Sequence, residues 1–172
     1  MTNAQLVSVQ WGLFLSVVFI LPQLFFRQLT WRSALLTGYF SMLFAAVLLP
    51  LGGHPDQAVQ PVPFQWVADT FRDGPIAFEQ MLLNVALFVP LGAFLWRQRN
   101  AVAIGFTLSL AIETTQLVLG HRIFDVDDLM TNTTGTLVGW LAVNWATALL
   151  TQAKRGALPA VSAGKAPHMA QR

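Results

Sequence analysis

Of the 172 residues, 55% are hydrophobic and only 10% are Asp, Glu, Lys or Arg, against about a quarter charged in an ordinary soluble domain. That balance points to a polytopic membrane protein. The absence of cysteine rules out disulfides, thiolate nucleophiles and cysteine-based metal sites. A net charge of +2 with no basic patch implies no nucleic-acid partner.

The first apolar run, about 6–26, is long enough for a hydrocarbon core that needs about 20 residues. No basic segment precedes it and no small-residue cleavage site lies before Pro22, so it reads as a retained anchor rather than a signal peptide. Arg27 and Arg32 bracket a turn with Trp31 as an interfacial aromatic, and a second span is expected over about 33–51. From Gly52 to Asp73 the chain is polar and proline-rich. Within it Phe64, Val67 and Phe71 would share one helical face and Gln65, Asp69 and Arg72 the opposite one, which suggests a short interfacial helix with Trp66 near the headgroups. An irregular loop with scattered aromatics fits the same residues.

Asp73-Gly-Pro75 resembles a helix start, since proline suits the first helical position. A third span follows over about 75–96, with Asn84 in its first half and a kink expected at Pro90. The fourth span is expected over about 101–119 and the fifth from near Asp128 to Leu150. The fold class is therefore all-α, a membrane helical bundle of about five transmembrane helices. Residues 1–150 form one domain, and 151–172 are a basic tail expected to be disordered.

Arg27, Arg32, Arg97, Arg99 and the carboxy-terminal segment hold eight of the ten basic residues and no acidic one. The positive-inside rule puts them in the cytoplasm and the amino terminus outside. Every acidic residue, from Asp56 through Asp128, falls on or towards the opposite side.

The stretch from Glu113 to Gly139 carries most of the polarity placed inside apolar segments. Glu113, Gln116 and Gly120 share a face of the fourth span, and Asp125, Asp128 and Asn132 share one on the fifth. Gly135 and Gly139 continue the stripe of Asn132 with a spacing that lets a helix backbone approach closely, making them a candidate surface for a helix partner. A carboxylate at a span's centre costs about 2.5 to 3.5 kcal/mol on insertion scales, so Glu113 should face the bundle or a watery cavity. It serves either a function or a packing hydrogen bond to Asn84 or Asn132.

Asp125, Asp127 and Asp128 are candidate ligands for a divalent cation, the one cofactor class the residues suggest. The structural alternative has Asp128 capping the fifth helix, Asp125 paired with Arg122 and Asp127 solvated. Arg122 is a candidate for a ligand's phosphate or carboxylate, or an ion pair. Ser109 shares the face of Glu113 but has no His-Asp pair to activate it. The candidate ligand-binding set is thus Asn84, Glu113, Gln116, Arg122, Asp125, Asp127, Asp128 and Asn132.

Three blocks in this order, Asn84-Val-Ala-Leu-Phe-Val-Pro-Leu-Gly92, Ile112-Glu-Thr-Thr-Gln116 and Arg122-Ile-Phe-Asp-Val-Asp-Asp-Leu-Met-Thr-Asn-Thr-Thr-Gly135, resemble the VanZ-like family of bacterial membrane proteins over roughly 79–143. The resemblance implies a multi-pass protein of the bacterial cytoplasmic membrane, in a family whose namesake is associated with low-level teicoplanin resistance. It carries over no catalytic mechanism. Two functions fit: binding or modulation of an envelope lipid, cell-wall precursor or glycopeptide antibiotic at an outward-facing polar site, or a metal-assisted hydrolase or transferase on a phosphate-bearing envelope lipid. In a third reading the motif only fixes helix packing.

Overall fold

A backbone surrounded by apolar side chains has to satisfy its own polar groups, and a helix does so within one segment. In the computed structural model, which describes residues 3–26, 30–48, 59–119 and 123–156, most of the described residues are helical. The elements in order are α1 (Asn3–Phe25), α2 (Trp31–Leu48), β1 (Val59–Gln60), α3 (Gln65–Asp73), α4 (Ile76–Phe94), α5 (Ala101–Leu119), β2 (Phe124–Asp125) and α6 (Val126–Gly156). Ile76–Phe94 and Ala101–Val118 are each long and apolar enough to cross a membrane, and Val9–Leu24 is a shorter apolar segment.

The distribution of polarity is the reverse of a water-soluble bundle. Large apolar side chains such as Phe14, Leu35, Leu83, Val118 and Leu141 are exposed, whereas Ser109, Glu113, Gln116, Asn132 and Thr136 are buried. Apolar outer faces over a polar interior are what a lipid solvent selects.

At the centre α6 runs parallel to α4 and packs on its backbone. A methyl group added at Gly135 would overlap the Val85 carbonyl oxygen, and one at Gly139 the Val89 carbonyl oxygen. Gly92 on α4 faces the backbone of Thr136 and Trp140 in return, and Gly105 on α5 faces the Thr136 side chain. The helix that occupies the Gly135–Gly139 stripe is therefore α4 of the same chain. At the far end Asn144 Nδ2 donates to the Trp96 carbonyl at 2.9 Å and Trp140 Nε1 to the Gln98 carbonyl at 3.0 Å. Leu43 of α2 joins Phe88 and Leu91 of α4 in the apolar core, and the Tyr39 hydroxyl donates to the Leu87 carbonyl at 3.1 Å. Gln23 Nε2 donates to Thr37 Oγ1 at 2.8 Å, tying α1 to α2.

Of the two readings of the segment before α4, the short helix is the one that forms, over Gln65–Asp73, and the third span runs through Pro90 as α4. The last boundary differs from the sequence reading. Helix α6 begins at Val126 and runs to Gly156, so the first residues of the expected disordered tail are helical. Gln152, Ala153 and Lys154 are good helix formers, and Lys154 and Arg155 complement the negative end of the helix dipole. Residues 157–172 lie outside the described residues.

Candidate functional site

The site lies where α4 and α6 begin. Helix α6 opens with its own cap: Asp125 Oδ1 accepts the Asp127 backbone N–H at 2.8 Å, so Asp125, not Asp128, occupies the N-cap position. An aspartate satisfies one of the first-turn amides this way and also meets the positive end of the helix dipole. Strand β2, which contains Asp125, pairs in parallel with β1, Val59 opposite Phe124 and Gln60 opposite Asp125. This pairing brings the segment before α3 beside the start of α6.

Helix α3 cannot cap itself, because Phe64 stands where a capping side chain would and takes φ of 62°, a left-handed conformation that costs a residue with a Cβ. Asp127 supplies the cap from α6. Its carboxylate accepts the backbone N–H of Phe64 through Oδ1 and that of Trp66 through Oδ2, the latter at 3.1 Å. Asp127 is buried and holds α3, so the solvated position considered for it does not occur.

The remaining polar residues form cross-links beneath. Asn84 Nδ2 donates to Asp128 Oδ1, joining α4 to α6. Glu113 Oε2 accepts the Asp125 backbone N–H at 3.0 Å, and Asn132 Nδ2 donates to Ser109 Oγ at 2.9 Å. Glu113 thus bonds the β2 backbone, a partner the sequence did not point to. Gln116 is buried on the same face of α5. Arg122 lies outside the described residues, and with it the proposed Asp125–Arg122 pair.

Above this layer is a cavity of about 590 Å³ walled by α3, α4, β2 and the first turns of α6, within the size range of small-ligand sites. Asp125, Asp127 and Asp128 line it, together with Gln60, Gln65, Asp69, Arg72 and Gln80. Asn84, Glu113, Gln116 and Asn132 do not line it; Asn84, Glu113 and Asn132 bond the elements that do. The Arg72 guanidinium bonds Asp69 at 2.9 Å and Asp73 at 2.8 Å. Its hydrogen bond to Asp73 keeps that carboxyl below the usual carboxylate range.

Among the described residues no three His, Cys, Asp or Glu side chains gather as a cation's ligands would. Asp125 accepts a bond from the α6 first turn, Asp127 from the start of α3 and Asp128 from Asn84. The residues missed from the sequence are the polar face of α3 and Gln80. Gln65, Asp69 and Arg72 were visible as a stripe, but nothing local tied it to Asp127 across some sixty residues.

The profile of the VanZ/LLP1 family matches residues 13–147. The chain belongs to the VanZ/LLP1 family. This match extends well before the motif blocks and takes in most of α1 and all of α2, so those helices are part of the VanZ/LLP1 unit. No curated protein and no solved structure matches the chain.

Proposed function

We propose that this VanZ/LLP1 protein is a five-span protein of the bacterial cytoplasmic membrane that binds the polar portion of an envelope amphiphile at an outward-facing pocket. The ligand is an envelope lipid, a lipid-linked cell-wall precursor or an amphiphilic glycopeptide of the teicoplanin kind. The observation that carries this reading is the 590 Å³ cavity at the head of α4 and α6. Its wall is polar in a chain whose outer faces are apolar, and the buried bonds of Asn84, Glu113 and Asn132 brace it. Binding sites of this size combine a few fixed polar groups with an apolar surround.

Charge supports the orientation. Helices α4 and α6 both start at the cavity, and α6 ends at Lys154 and Arg155, with Arg97 and Arg99 in the α4–α5 turn at that same end. The positive-inside rule then turns the cavity outward.

The test is thermal unfolding of the purified protein with a panel of envelope lipids, a soluble cell-wall precursor analogue and teicoplanin. A ligand that binds only the folded state, present at about a hundred times its Kd, adds about 2.7 kcal/mol. One class should raise the melting temperature of the parent, and Asp128→Asn, which keeps an acceptor for Asn84, should lose that rise while remaining folded. Glu113→Gln, which braces the wall without lining it, should show a reduced rise. No shift with any class, or an undiminished shift in Asp128→Asn, would remove the cavity as the site.

A further inference from the structure

Helix α3 is tied at both ends to the heads of other helices. Its first residues are bound by Asp127 at the start of α6, and only Gly74 and Pro75 separate its last residue from α4. A helix so held lies across the ends of α4 and α6, and its two long faces point to different surroundings. Gln65, Asp69 and Arg72 turn to the cavity. On the other face Phe64, Val67 and Phe71 are 58, 36 and 87% exposed.

Two residues beyond α3, α4 opens with exposed apolar side chains of its own, Ile76, Phe78, Leu82 and Leu83, and it is long and apolar enough to cross a membrane. Trp66, which lines the cavity, packs α3 against that helix with its ring 6.0 Å from that of Phe78. Charge on α3 does not suit electrostatic docking, because Arg72 is already paired with Asp69 and Asp73. An amphipathic helix with an aromatic edge and little free charge is held at a membrane by buried apolar area.

We propose that α3 is seated in the headgroup layer of the membrane by its Phe64–Val67–Phe71 edge. The cavity then opens sideways onto that layer and admits the polar part of a molecule that remains in the leaflet. The occupant of the edge is lipid, and α3 is the boundary between bilayer and cavity. This deepens the proposed function and depends on it only for the cavity being a ligand site.

The chain has no cysteine, so a single introduced thiol carries a probe without competition. Full-length Phe71→Cys and Asp69→Cys variants would be labelled with an environment-sensitive fluorophore and placed in lipid nanodiscs, which expose both leaflets. The probe at 71 should show blue-shifted emission, quenching by lipids brominated near the headgroup and loss of iodide quenching, all unchanged in high salt. The probe at 69 should be open to iodide. A probe at 71 that iodide quenches and brominated lipid does not would overturn the proposal. So would one shielded from both quenchers, as a protein partner on that edge would shield it. Gln65→Cys, on the same cavity face, takes the place of Asp69→Cys if that variant does not fold, and Val67→Cys takes the place of Phe71→Cys. Since no ligand is present, this result and that of the ligand panel stand or fall separately.

Discussion

Asp127 ties one wall of the cavity to another. One carboxylate satisfies two backbone N–H groups at the start of α3 while its own amide is capped by Asp125. Replacing it by alanine leaves those donors without a partner, at about 1 to 3 kcal/mol for each buried group. Asp127→Ala should therefore lower the melting temperature and speed hydrogen exchange of the first amides of α3, leaving those of α4 and α5 protected. Equal exchange in both proteins would show that α3 is held by its packing alone. Asn132 makes the contrast: among the described residues its buried Oδ1 has no hydrogen-bond partner, so its contribution rests on the one bond to Ser109.

At the scale of the elements, the contact between α4 and α6 is set by backbone approach. Gly135 and Gly139 press on the Val85 and Val89 carbonyl oxygens, and neither oxygen can move without bending α4. Gly135→Val should destabilise the bundle by about 1 to 3 kcal/mol, the usual cost of overpacking. Gly38 on α2 serves as the control, since an added Cβ there meets nothing within 4 Å. Gly38→Ala should be neutral or stabilising by up to about 1 kcal/mol, the helix-propensity difference. Thermal unfolding of the two variants side by side separates close packing from propensity, and a reversed order would contradict the parallel packing of α4 on α6.

For the whole molecule, the prediction concerns sidedness. The cavity end carries Asp69, Asp73, Asp125, Asp127 and Asp128, and the opposite end Arg97, Arg99, Lys154 and Arg155. With the proposed orientation, a membrane-impermeant thiol reagent applied to right-side-out vesicles should label Asp73→Cys at once and Arg99→Cys only after lysis. The inverse pattern would place the cavity in the cytoplasm and remove outer-leaflet ligands from the reading.

The helices and the character of the chain are legible without coordinates. Long runs of Leu, Phe, Val and Ala interrupted by arginines and glycines dictate helices of about these lengths, because the pattern is local and an apolar surround leaves the backbone few alternatives. The Phe64–Val67–Phe71 and Gln65–Asp69–Arg72 stripes belong to the same kind of information, since they need only the helical period. The motif residues from Asn84 to Gly139 were also recognisable as polar groups out of place in apolar segments. What each of them touches was not, because their partners lie far away in the chain. Asp127 reaches Phe64, Asn84 reaches Asp128 and Asn132 reaches Ser109, and only the folding of β1 against β2 and of α6 against α4 and α5 brings those pairs together. That is why the sequence determined which side chains are polar where lipid would exclude them, while the tertiary structure decided which of them line a cavity and which brace its wall.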